Sequence, residues 1–397
     1  MRHLKDLMQP VVRNNPWKQS VLLILIALVS LSLVAISAIG VFDFEPDDRF
    51  ANVVLDNPEG EPDDDDWVDE WDDEWVDEPA PTPEPELDSF NPLTGLPLDE
   101  ARTRDRPLAV SLSNVPEALP MNGVSEADII YEVLVEGGLT RMLALFQDTM
   151  YVPKIGSIRS ARHYTADIAH SYNAIFVTAG GSPQAYREVR AEGVTHLDEV
   201  GGTRREIFQR DRNRVPGRRF ESLHSVVITG DRVRRWFPQY DFELQHDRNY
   251  ELGLVFVEDG TPERGSIAND VVVNFSSGKS TTFKYSSSEN AYHMRQFNNT
   301  EFVDANNNKK PAFTNILILH TRVTGIANDG SGRRNVETVG EGEGYFVNGG
   351  RYIEIDWFRE DKEAPFVYTL KNGSILELGA GKTYICIIPT NMTATFS

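Results

Sequence analysis

One stretch of this chain lacks the means to fold, and it decides what the rest can become. From Asp43 to Asp88 there are 21 acidic residues and one base, Arg49, a net −20, interrupted by seven prolines (46, 58, 62, 79, 81, 83 and 85). Self-repelling carboxylates and repeated loss of a backbone donor leave too little apolar burial to offset chain entropy, so residues 42–89 are predicted as an extended linker. Inside it, WVDEWDDEWVDE places Trp67, Trp71 and Trp75 four residues apart. On a helix these would form one stripe, so the tract reads either as a solvated spacer or as a segment that folds onto a basic partner. Because the whole chain carries −22, nearly all of its acidity sits here, and residues 89–397 are close to neutral with 34 basic and 39 acidic residues. Neither part has the broad basic surface that nucleic acid demands, so no nucleic-acid partner is expected.

Before the tract, Ser20 to Val41 is a run of 22 residues without a charge. As a helix it would reach about 33 Å, enough for a hydrocarbon core of about 30 Å. Bases precede it and acids follow it, so the positive-inside rule predicts residues 1–19 in the cytoplasm, a transmembrane helix at 20–41, and everything later outside. A cleaved signal peptide is the competing reading, with Ala35-Ile-Ser37 or Ile36-Ser-Ala38 as the cleavage site. The single cysteine, Cys386, excludes an internal disulfide, a cysteine-built zinc site and lipidation near the span. It sits in the apolar run YICIIP, where a buried thiol is expected.

In the folded part, strand-like runs at 107–115, 128–135, 140–147 and 174–179 alternate with helical patterns at 160–173 and from Ser182-Pro183 to about 192. This predicts a mixed α/β sheet domain over 90–240. Over 245–397 many short alternating runs are separated by turn signals such as Asn348-Gly349-Gly350, which predicts a mostly antiparallel β domain. The expected fold class is therefore α+β or mixed α/β, carried behind an N-terminal transmembrane helix and the acidic linker.

No Walker-type loop, HExxH or Gly-x-Ser-x-Gly is present, and no two of the eight histidines stand three or four apart. No cofactor or metal site is expected from these patterns. The most informative segment is KIGSIRSARHY, 154–164. Ser157 and Ser160 precede a helix, and Arg159 and Arg162 straddle its start. Free N–H groups and two forked guanidiniums there favour an anion, while cations oppose the helix dipole, so a counter-anion should be near. It would be a bound ligand, or an internal carboxylate such as Glu132, Glu136 or Asp148. Gly180-Gly181-Ser182, between a strand and a helix, form a second cradle of this kind, or simply a tight turn with a cap. Arg141 and Glu132, on the preceding strands, complete the candidate anion-binding set. From Arg204 to Arg235 there are ten arginines against four acids. That region reads as a solvated, flexible basic loop, or as a surface for an anionic polymer, lipid headgroups or the acidic tract.

Several segments together resemble a known family. Asn91-Pro-Leu-Thr-Gly95, RPLAVSLSN (106–114), YEVLVEGGLTRMLALF (131–146), GSIRSAR (156–162) and NAIFVTAGGSP (173–183) are similar to the YerB-like lipoproteins of bacteria. NILILHTRV (315–323), GEGYFVNGGRYIEIDWFRED (342–361) and LELGAGKTYICIIP (376–389) extend the likeness through the second half. The resemblance implies two consecutive domains of unknown function in an extracytoplasmic, envelope-associated protein. The family's lipid-bearing cysteine is absent here. A weaker likeness, through the N-terminal span and the SIRSAR segment, is to the LytR-CpsA-Psr glycopolymer transferases, whose Pro-Arg-Asp pattern this chain lacks.

These readings converge on a membrane-held envelope protein, with its C-terminal domains outside, that binds an anionic ligand or an envelope protein partner through its first domain. A phosphotransferase acting on lipid-linked glycopolymer and a scaffold with interaction surfaces alone are the alternatives, and no catalytic residue is assigned.

Overall fold

The computed structural model describes residues 89–247 and 250–397. The expected span at 20–41 and the acidic tract with its tryptophans lie outside them. Among the described residues no helix is long and apolar enough to cross a membrane.

The first half begins with three strands, β1 (Leu108–Asn114), β2 (Ile129–Leu134) and β3 (Thr140–Phe146). β3 lies between the other two and is antiparallel to both, so that Leu112 and Glu132 flank Met142 from either side. A short β4 (Ile155–Gly156) leads to α1 (His163–Ser171), β5 (Ile175–Thr178), α2 (Pro183–Ala191) and β6 (His196–Asp198). β5 is parallel to β1, and β6 is parallel to β5. α2 starts where its sequence says it should: Ser182 Oγ accepts from the Ala185 N–H at 3.1 Å, and Pro183 takes the first helical position.

The Arg204–Arg235 region is ordered rather than a loose basic loop. It contributes β7 (Phe208–Arg210) and β8 (Val226–Ile228), which join β4 in a three-stranded sheet. Arg214 is 3% exposed and serves as an internal strut, donating to the carbonyls of Ala118, Pro120 and His224 and to Asn122.

The second half supplies β9 (Ser266–Ile267), β10 (Asp270–Ser276), β11 (Lys279–Ser286), β12 (Ala291–Gln296) and β13 (Asn315–Thr321). It continues with β14 (Gly340–Asn348), β15 (Arg351–Arg359), β16 (Val367–Leu370), β17 (Thr383–Pro389) and β18 (Ala394–Phe396). The β14–β15 hairpin turns on Gly349 and Gly350, at φ +57° and +76°, the left-handed pair that a two-residue hairpin needs.

Both halves build one 11-stranded sheet, in the order β9-β15-β14-β13-β17-β2-β3-β1-β5-β6 with β16 on β15. Its centre is β17, parallel to both neighbours: Ile385 lies opposite Leu317 of β13 on one side and Tyr131 of β2 on the other. β10, β11, β12 and β18 belong to a second, six-stranded sheet, in which β11 lies between β10 and β12 and β18 pairs with β10 at the edge.

The expected fold class is thereby corrected. The described protein is mostly β, with 41% strand against 16% helix. The physical reason lies in what covers the large sheet. One face, with Tyr131, Leu143 and Ile385, is covered over the first half by α1 and α2, only nine residues each. The other face, with Leu112, Met142, Ile318 and Cys386, packs on Val271, Phe275, Phe283 and Tyr292 of the second sheet. An apolar sheet face needs a partner layer, and here a second sheet supplies it where an α/β fold would use helices. Cys386 is buried at 0% exposure, as its apolar run predicts.

Candidate anion-binding site

Past the end of β5, the chain after β4 takes over as the neighbour of β1. The Ser113 N–H donates to the Ser157 carbonyl at 2.9 Å and the Arg159 N–H to the Ser111 carbonyl at 2.8 Å, while the Ile158 N–H turns away to Val226 of β8. This segment is therefore extended, and its side chains alternate. Ile158 enters the core shared with the second sheet. Ser157 and Arg159 project from the opposite face. Arg141, between Met142 in that core and paired with Ser113, projects to the same face as they do.

The loop after β5 closes the other side. The Ala179 N–H donates to the Arg159 carbonyl, the Ala161 N–H to Gly180 and the Ser182 N–H to Ala161, at 3.0, 2.8 and 3.2 Å. Ser160 Oγ donates to the Ala179 carbonyl at 3.0 Å. The arginine-bearing segment thus sits at the carboxyl ends of the parallel strands β1 and β5. From β1 the chain leaves toward β2 and β3, and from β5 toward β6. Such a switch point is where open sheets with parallel strands bind ligands.

Three guanidiniums meet here, and their partners are unequal. Arg162, 9% exposed, is held by both oxygens of Glu136, Nε to Oε1 at 2.6 Å and Nη2 to Oε2 at 2.7 Å, and by the Ala161 carbonyl at 2.8 Å. Burial alone would raise the Glu136 carboxyl, but the Arg162 hydrogen bonds and charge outweigh it and hold the group below the usual glutamate range. Arg141, 8% exposed, donates to the Ser160 carbonyl. Arg159 reaches the Leu223 carbonyl at 3.2 Å. Burial, then the charges of Arg162 and Arg159, push Arg141 down to about 9, and burial followed by Arg162 lowers Arg159. Beside them Ser157 is fully buried and its hydroxyl has no hydrogen-bond partner.

The remaining candidates go elsewhere. Gly180, at φ +85°, gives its N–H to Asp198 Oδ1 at 2.6 Å. Asp198 also accepts from the Val200 and Gly201 N–H groups and from the Tyr186 hydroxyl. The Gly180-Gly181-Ser182 cradle is thus filled by the chain's own carboxylate and by the cap of α2. Glu132 projects from the opposite face of the sheet, separated from the arginines by the strands themselves. It is 0% exposed and accepts from Asn114, Thr140, Thr281 and Tyr384 at 2.6–2.8 Å, with Lys279 Nζ at 3.2 Å. Asp148 pairs with Arg102. Of the carboxylates named as internal partners, Glu136 is the one that meets the arginines. A separate, mostly apolar cavity of about 690 Å³ lies at the entry turn, lined by Phe90, Leu96, His246, Tyr250 and Phe256, away from these arginines.

Family models for the protein of unknown function DUF3048 match the chain in order, its N-terminal domain at 93–242 and its C-terminal domain at 271–385. The chain belongs to the DUF3048 family. Among relatives of this DUF3048 protein is "Putative lipoprotein YerB" of Bacillus subtilis (strain 168), 29% identical over 309 residues, which is 77% of this chain and 88% of that protein. The crystal structure of the YerB protein from Bacillus subtilis superposes with a TM-score of 0.65 at 27% identity, covering 77% of this chain and 99% of that one. The resemblance read from the sequence segments is therefore borne out. The arginine cleft lies wholly within the part matched by the DUF3048 N-terminal model. The Glu132 cluster draws Lys279, Thr281 and Tyr384 from the part matched by the C-terminal model.

Proposed function

We propose that this DUF3048 protein is an envelope-associated binding protein whose first half holds an anionic ligand in the cleft of Arg141, Arg159 and Arg162. The observation that carries this reading is the charge balance: three guanidiniums, two of them buried and Arg159 half-buried, lie together, and the carboxylate they meet, Glu136, is committed to Arg162. Buried like charges without counter-charges are costly, and an anion from outside offsets that cost. The same commitment of Glu136 favours binding over phosphoryl transfer, which would need free carboxylates converging there. Placement at the envelope is supported by the lipoprotein description of the relative.

Isothermal titration of the full-length protein with inorganic phosphate should give saturable heat, and Arg159→Gln should weaken it at least about 10-fold, the worth of one charge-assisted hydrogen bond. Equal binding by that variant would end the reading. For placement, protease added outside intact cells that express the protein should release the folded part, and full protection would contradict it.

A further inference from the structure

We infer that the ligand group of this cleft is a phosphate monoester dianion, contacted by Arg141, Arg159 and the Ser157 hydroxyl, while Arg162 is an internal strut. This rests on the anion-binding reading and goes further, by naming the charge of the ligand and dividing the labour among the arginines.

The division follows from the partners. Arg162 has its counter-charge in the two-pronged contact with Glu136, and its third contact is the carbonyl beside it. Arg141 and Arg159 are paired in the structure with one carbonyl each, those of Ser160 and Leu223. Each guanidinium has five N–H donors, so both retain donors for a ligand. Two guanidiniums without a carboxylate call for two negative charges. A carboxylate or a phosphodiester brings one, and a phosphate monoester brings close to two at neutral pH.

Ser157 supplies the independent observation. Its side chain is 0% exposed, its Oγ has no partner, and strand alternation turns it to the face that bears Arg141 and Arg159. A buried hydroxyl without a partner costs stability unless something accepts its proton. On the face that bears two guanidiniums, that acceptor is an anion oxygen. Charge-assisted donors from two planar forks and a hydroxyl on the same face suit a tetrahedral group with several free oxygens.

The test uses the full-length protein with three soluble probes: glycerol 3-phosphate, dimethyl phosphate and acetate. Glycerol 3-phosphate should bind at least about 10-fold tighter than the two monoanions. Ser157→Ala should lose about 10-fold in affinity for glycerol 3-phosphate while its melting temperature holds or rises, since the lost hydroxyl has no partner in the protein. Arg141→Gln should lose more. If Arg141→Gln fails to fold, Ser157→Ala alone decides the matter. Binding to dimethyl phosphate or acetate as tight as to glycerol 3-phosphate overturns the dianion and leaves the anion site standing. Unaltered affinity in Ser157→Ala overturns the assigned contacts. No binding of any probe overturns the site itself. Competition by phosphatidic acid vesicles would identify a lipid headgroup as the source of the monoester, and lack of competition a soluble one; both support the dianion.

Discussion

Two polar clusters occupy opposite faces of strands β2 and β3, and they are built to opposite rules. Around Glu132 one carboxylate receives four hydrogen bonds and the Lys279 ammonium, all from the protein, so its charge is matched from within. Around Arg141 the count is reversed, with three guanidiniums and one carboxylate. The first cluster is closed. Its members come from both halves of the sequence, so it ties β2 to β11 and β17 and disfavours other registers of these strands. The second is open, and its members come from the first half alone. Buried ionic groups that are fully satisfied specify structure, whereas those left short of counter-charge await something else.

The contrast can be broken by experiment. The largest effect should come from Lys279→Ala, which strands a fully buried carboxylate. Removing one partner of such a pair costs about 3–5 kcal/mol. Denaturant unfolding should show that loss, and a loss below about 1 kcal/mol would remove the pair from any structural role. Arg162→Gln should cost less, about 1–2 kcal/mol, because Glu136 keeps 21% of its side chain exposed and water takes over part of the solvation. A larger loss than in Lys279→Ala would invert the comparison.

Arg141→Met should go the other way. Replacing an under-compensated buried charge with an apolar chain of similar length should leave stability unchanged or raise it by up to about 1 kcal/mol, while anion binding is lost. A loss above about 2 kcal/mol would make Arg141 a strut like Arg214. The smallest effect concerns acid. The Glu136 carboxyl lies below its ordinary value of 4.5, so its contribution is fully present above that value and is lost as pH falls through the lower folded value. Glu136→Gln should therefore flatten stability against pH below about 4.5 and leave the slope at neutral pH alone. An unchanged acid slope would show that Glu136 is not held by Arg162 in solution.

Much of the local structure was legible in the residues. Ser182-Pro183 announced α2, Asn348-Gly349-Gly350 announced a hairpin, and YICIIP announced a buried strand, because each is set by short-range chemistry. The cleft was half legible: SIRSAR marked Arg159 and Arg162 through helix-end electrostatics. The pairing that makes Arg162 internal depends on Glu136, 26 residues earlier in the chain. Glu132 was misplaced beside the arginines because strand alternation gives a face only once the strand's two neighbours are known. Lys279, 147 residues from Glu132, leaves no local trace of its role, since a lysine at the start of an alternating strand reads as solvated. The fold class failed for the same kind of reason. Nothing within 107–147 says whether helices or a second sheet will cover that face.

The position of β17 also sets an order of events. Thr383–Pro389 begins 249 residues after β2 ends, yet it fills the middle of the large sheet, between β2 and β13. During synthesis the two strands that must flank it are made long before it exists. Until β17 emerges, each presents an open edge of unpaired N–H and C=O groups to solvent and to other chains. Contacts of such long sequence separation close slowly and only after the whole length is available. A nascent chain of this protein that lacks β17 is thus a pair of incomplete sheets prone to pairing with the wrong partner, and the large sheet closes only when β17 is released.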